Sequence, residues 1–110
     1  MEEITEPARR IVAARLQGVV ARLFGAAGVP PGDAALVADT LVKADLWGHS
    51  SHRVLRAPWY LDRIANGVMT PVTQVEQVVD AGAIALWDGR DGVGQVITRD
   101  AMNAAIAKAR

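Results

Sequence analysis

A chain of 110 residues with 51% hydrophobic and 22% charged side chains has the balance of a folded globular protein, enough for one small core. Twelve basic residues offset twelve acidic ones, so no net field draws the chain towards nucleic acid or an anionic membrane surface. The absence of cysteine excludes disulfides, thiolate metal sites and cysteine nucleophiles.

The acidic start MEEITEP lacks the basic and then apolar character of a secretory signal. No apolar run approaches the roughly 20 residues that cross a bilayer. A cytoplasmic location is expected. The first helix is predicted over Pro7 to Ala27, with Ile11, Leu16, Val19, Val20, Leu23 and Phe24 on one broad face. Gly28 suits its C-terminal end, and Pro30-Pro31 cannot continue it. Asp33, or the residue before it, is the expected cap of a second helix whose apolar positions are Leu36, Val37, Leu41, Val42 and Leu46.

A third helix is expected after Ser50 and Ser51, both good capping residues, with Gly67 as its stop. Pro58 interrupts it, since proline has no N–H for residue 54 and its ring crowds that carbonyl. Either the helix kinks there or it begins there with Pro58 in its first turn. The period then changes. VTQVEQVVD and AIALW read as two short strands, and DGRDGVG carries two Asp-Gly turn signals. GQVITRDAMNAAIAKAR closes as a helix with Val96, Ile97, Ala101, Ala104, Ala105 and Ile106 mainly inward.

The expected fold is therefore α+β and mainly helical: three helices, a strand pair and a final helix in a single domain over 1–110. Residues 1–67 form its helical part and 68–110 the strand pair plus helix. A two-stranded sheet is marginal alone in water. It is expected to lean on helices, on a partner subunit or on further chain, and the reading is that of an N-terminal fragment.

The chemistry-bearing residues gather in GHSSHRVLRAPWYLDRIANG, which holds both histidines and the one tyrosine. On a helix starting at His52, the residues His52, Arg56 and Tyr60 would share one side. An imidazole, a guanidinium and a phenol suit a small carboxylate: the arginine clamps it and the histidine handles a proton on the neighbouring oxygen. Ser51 could pass a proton or orient the ring. The plainer reading is a capping serine with solvated arginines. Asp45, His49 and His52 have metal-like spacing, but only if the second helix ran unbroken through Gly48, so no metal is expected. Trp47 and Trp59 read as core or interface anchors, and Asp39, Asp45 and Asp62 as solvated. Gly89, Gly92 and Gly94 fail the GxGxxG pattern and read as a tight turn before an anion site.

The segment ADLWGHSSHRVLRAPWYLDRIANGVMTP, with the later DGRDGVGQ turn and the helix AMNAAIAKAR, resembles the N-terminal region of the type-2 malate/L-lactate dehydrogenase family, which includes ureidoglycolate and sulfolactate dehydrogenases. The likeness rests on Gly48-His49-Ser50-Ser51-His52, Arg56, Tyr60, Gly67, Pro71, Asp88-Gly89, Gly92 and Gly94-Gln95 in order. It implies interconversion of a 2-hydroxy acid and a 2-oxo acid with NAD or NADP, on a non-Rossmann fold and in a homodimer. The cofactor would be held mainly by chain outside this sequence. His52 would be the acid/base histidine with Ser51 assisting, Arg56 and Tyr60 would meet the substrate, and His49 is a motif member without an assigned role. No nucleic acid or membrane partner is expected. Arg53 stands where the family usually has glycine, adding bulk and charge. The alternative is a non-catalytic helical interaction module derived from that family, with Arg53, Arg56 and Arg63 as a local basic patch.

Overall fold

Val20 and Phe24, one helical turn apart, are each 1% exposed and meet Val37, Ala38 and Leu41 from the next helix. Around this contact the computed structural model describes residues 9–49 and 51–110. The described residues form α1 (Ala13–Ala26), α2 (Pro31–Leu46), a 3-10 turn (Val54–Arg56), α3 (Ala57–Ala65), β1 (Glu76–Ala81), β2 (Ile84–Asp88) and α4 (Gly94–Ala109). The architecture is α+β and mainly helical. Ala57 from α3, and Val93 and Val96 from the start of α4, complete the core. Among the described residues no helix is long and apolar enough to cross a membrane.

Helix α1 begins at Ala13, so residues 9–12 lie outside the predicted helix, and Pro7 and Ala8 lie outside the described residues. No side chain caps it; the Val12 carbonyl accepts the N–H groups of Arg15 and Leu16 directly. Its predicted apolar face is wider than α2 can cover, which leaves Ile11, Val19 and Leu23 exposed. Neither Asp33 nor Gly32 caps α2. That helix starts at Pro31, where a missing N–H costs nothing and a fixed φ is already helical. Asp33 sits in the first turn, where its charge faces the positive end of the helix dipole. Leu46, at the far end, is exposed.

The three N-terminal helices end alike. In α2 the Gly48 N–H bonds the Asp45 carbonyl at 3.1 Å and the His49 N–H reaches back to Ala44 at 2.9 Å. This Schellman closure needs a left-handed residue, and Gly48 supplies it at φ 77°. The chain is thereby turned off the helix axis directly before the histidine segment. Asp45 then does what a solvated carboxylate would not: its Oδ2 accepts the Val54 N–H at 3.0 Å, and its Oδ1 lies 3.9 Å from Arg53 Nε. This fastens the start of the 3-10 turn to the end of α2. The third helix begins late, with Pro58 inside its first turn, and Ser51 does not cap it. Of the two possibilities at Pro58 the second holds, because a proline there removes no helical bond.

β1 and β2 form an antiparallel hairpin with a bulge between Gln77 and Val79. Residues 72–75, expected in the first strand, instead brace the loop before α4: Thr73 Oγ1 accepts the Val93 N–H at 2.9 Å, and the Thr70 N–H reaches the Asp91 carbonyl at 2.8 Å. Gly92 is tied to this contact. A Cβ there would stand 2.8 Å from Thr73 Cγ2 and 3.0 Å from the Gly89 carbonyl oxygen. The hairpin is solvent-exposed apart from half-buried Trp87. Only the first part of α4 packs on the core. Ala101, Ala105 and Ile106, expected inward, are exposed, and an apolar groove with Ile84, Ala85 and Trp87 opens between α4 and β2. Lys108 bridges that gap by binding the Asp80 carboxylate and, at 2.8 Å, the Gly82 carbonyl.

Asp45→Ala should cost about 1 kcal/mol, the scale of one partly exposed hydrogen bond, and should accelerate amide exchange at Val54; unchanged protection there would remove Asp45 as the fastener. The Lys108 ammonium, chiefly through its hydrogen bond, holds the Asp80 carboxyl below its ordinary value. A carboxylate depressed on folding stabilises above its unfolded pKa, about 3.9, and loses that contribution as pH falls through the lower folded value. Chemical shifts of Lys108 and of the hairpin amides should therefore hold steady down to about pH 4 and move below it. In Lys108→Met the Asp80 titration should return to the ordinary carboxylate range.

Candidate active site

The turn at Gly48 and the fastening at Asp45 leave His49 and residues 51–53 outside α2 and the 3-10 turn. Ser50 lies outside the described residues. Ser51 organises the rest of this stretch. Its Oγ lies 2.7 Å from His52 Nδ1, and its carbonyl accepts Arg56 Nε at 2.7 Å. One residue thus holds both the imidazole and the guanidinium, the first through its side chain and the second through its backbone. With Nδ1 engaged, Nε2 of His52 is the ring nitrogen left for another partner.

The expected helical stripe of His52, Arg56 and Tyr60 does not form. His52 precedes any helix, Arg56 lies in the 3-10 turn and Tyr60 in α3, because Pro58 delays the α-helix to Ala57. Side chains nevertheless converge. His49, His52 and Tyr60 line a cleft of about 370 Å³ with Thr40, Ala44, Trp47 and Gln95. Arg56 is not among the residues that line this cleft: bonded to Ser51, its guanidinium carbon lies 5.6 Å from the centre of the Trp59 ring. Nε is engaged in that bond, which leaves the paired terminal N–H groups as donors. The phenol ring of Tyr60 is fixed by edge contact with Trp59 at 5.1 Å and by Phe24 at 6.5 Å, so the core sets its position.

Trp47 is 73% exposed and forms a wall of this cleft; Trp59 is the platform for Arg56 and, at 4.6 Å, for Arg63. Arg53 has an extended backbone at φ −114° and turns towards Asp45, so its side chain neither needs glycine's freedom nor enters the cleft lining. Asp45 is engaged there, away from a ligand role with His49 and His52. Among the described residues no group of three His, Cys, Asp or Glu could hold a metal ion. Three donors of the glycine loop are already engaged. Gly92 N–H bonds Gly89, Arg90 N–H bonds the Asp88 side chain, and Val93 N–H bonds Thr73. Arg90 and Asp91 adopt positive φ of 50° and 56°, a tight turn rather than an open anion cradle.

Sequence reasoning missed Thr40 and the fastening role of Asp45. Thr40 carries no motif signal, since its hydroxyl bonds the Val37 carbonyl at 2.8 Å as many helical threonines do. Asp45 carries a faint one: a short carboxylate just before a glycine stop is well placed for the next free backbone N–H.

The malate/L-lactate dehydrogenase family profile matches residues 11–110. A malate dehydrogenase from Pyrococcus horikoshii is 39% identical over 101 residues, which cover 92% of this chain and 28% of that protein. An L-sulfolactate dehydrogenase from Methanocaldococcus jannaschii is 41% identical over 83 residues, or 76% of this chain and 24% of the relative. The solved structure of the Pyrococcus horikoshii malate dehydrogenase superposes with a TM-score of 0.88 over 92% of this chain and 29% of its own. The chain thus spans less than a third of the length of these relatives. Over that span, sequence and fold agree: the chain belongs to the malate/L-lactate dehydrogenase family.

Proposed function

We propose that this chain provides the substrate-side residues of a dehydrogenase that interconverts a 2-hydroxy acid and a 2-oxo acid with NAD or NADP. Family membership supports the reaction class. The observation that carries the residue assignment is the double engagement of Ser51, which ties His52 and Arg56 into one unit. In the oxidative direction Nε2 of His52 takes the hydroxyl proton; in the reductive direction it returns it to the carbonyl oxygen. Ser51 holds the ring through Nδ1, which leaves this nitrogen for the substrate. The terminal N–H pair of Arg56 clamps the carboxylate beside the reacting carbon in the planar, two-bond manner that lysine cannot copy. Tyr60 presents its hydroxyl from the cleft wall, and His49 lines the same cleft without an assigned role.

Within the glycine loop the Arg90, Gly92 and Val93 N–H groups are already engaged and so are not free for a nucleotide. NAD or NADP as hydride carrier therefore rests on the family alone, and no residue of this chain is assigned to it. In the active enzyme His52→Ala should lower kcat by roughly 10²–10⁴, the range for losing an acid/base group. Arg56→Lys should raise KM for the acid more than it lowers kcat. Unchanged turnover in His52→Ala would remove the imidazole from the reaction.

A homodimer, or a non-catalytic interaction role, is the second reading. It is favoured by Leu46, Trp47 and Leu55, which are 67%, 73% and 75% exposed around the site segment. Apolar side chains left in water at this level mark contact surfaces. Sedimentation equilibrium should show self-association that Leu55→Glu weakens; a monomer at all concentrations would end the dimer reading.

A further inference from the structure

Helix α1 is covered on one side only. Val20 and Phe24 are sealed against α2, while Val12, Val19 and Leu23 stay exposed. With half-buried Leu16 they form a row at intervals of four, three and four residues, running from the residue before α1 along most of its length. That is the a/d spacing at which one helix seats its side chains between those of another. The row is also shaped to receive something. Ile11, Val12, Leu16 and Val19, with Arg10 and Arg15 at the edge, line a hollow of about 480 Å³.

The charge beside this row has one sign. Arg15 and Arg22, two turns apart, each directly precede a row residue and so follow one edge of it; Arg9 and Arg10 stand at its start. All four are exposed, and none takes part in an ion pair among the described residues. No aspartate or glutamate occurs between Glu6 and Asp33. The chain is neutral as a whole, so four positive charges are concentrated on this one face and its approach.

We propose that the outer face of α1 is a docking surface for an acidic amphipathic helix of another protein, one with an apolar a/d row flanked by glutamate or aspartate. Its apolar side chains would fill the hollow while its carboxylates meet Arg15 and Arg22. A second copy of this chain using the same face fits poorly, since α1 would bring further arginines and no acid. An anionic bilayer fits poorly too. The exposed apolar row is one side chain wide, is bounded by α2 and holds no aromatic residue, whereas a bilayer-lying helix needs a broad apolar face.

The test adds to the 110-residue chain a fluorescent peptide of about three heptads, long enough to span the 14 residues of α1, with leucine at a and d and glutamate at e and g. Anisotropy should rise saturably at low salt, and the methyl signals of Val12, Val19 and Leu23 should shift in NMR spectra. The same peptide with lysine for every glutamate should bind about tenfold more weakly, the scale of two small charge pairs lost and replaced by repulsion. In the chain carrying both Arg15→Glu and Arg22→Glu that preference should reverse, with the Phe24 and Tyr60 signals unchanged as the check on folding. Val12→Asp should weaken the glutamate peptide without altering helix content. Equal binding of the two peptides, shifts confined to other elements, or a preference unaltered by the arginine changes would overturn the proposal. So would two other results: sedimentation with phosphatidylcholine–phosphatidylglycerol vesicles but indifference to the acidic peptide, or self-association that Val12→Asp abolishes.

Discussion

Residues 51–53 have no regular structure of their own, and the point at which they rejoin the helices is set by one hydrogen bond: the Asp45 carboxylate receiving the Val54 N–H. It joins the last turn of a helix whose inner face is buried to the first turn of an element that carries Arg56. The Gly48 turn sets the direction in which the chain leaves α2, and Asp45 sets the point at which it returns. The core made by Val20, Phe24, Val37 and Leu41 thereby passes its rigidity to side chains that are themselves exposed. A site on a loop gains precision only when its supports lie on such a scaffold.

Much of the fold is legible in the sequence because helix and strand signals here are local. The glycine stops at Gly28, Gly48 and Gly67 all adopt positive φ, and one of the two readings left open at Pro58, a helix with the proline in its first turn, is what α3 adopts. The failures have a common cause. The rule for helix starts favours a short acid and so points to Asp33 as a cap, yet two adjacent prolines supply a preorganised start upstream. Val72 and Val75 look like strand residues, but Thr73 is held by the loop before α4, a contact twenty residues away that no window can see. Ala101, Ala105 and Ile106 have inward spacing, yet the described residues place nothing over them.

The site shows the same division. Motif content locates the segment, and the structure collects His49, His52 and Tyr60 around one cleft. Helical geometry predicts their arrangement wrongly, because it treats His52, Arg56 and Tyr60 as a single face. What joins His52 and Arg56 is Ser51, acting through two different groups of one residue, while Tyr60 is placed by α3 and its aromatic neighbours. Spacing along a chain cannot distinguish a shared helical face from a folded loop that meets at the same place.

At Trp59 one indole carries two guanidinium groups, at 5.6 Å and 4.6 Å from its centre. The quadrupole of the ring attracts both, but the cations repel each other across a span no greater than roughly a Debye length in 0.1 M salt. A negative charge held near either arginine therefore also offsets the positive potential at the other, and added salt weakens that effect.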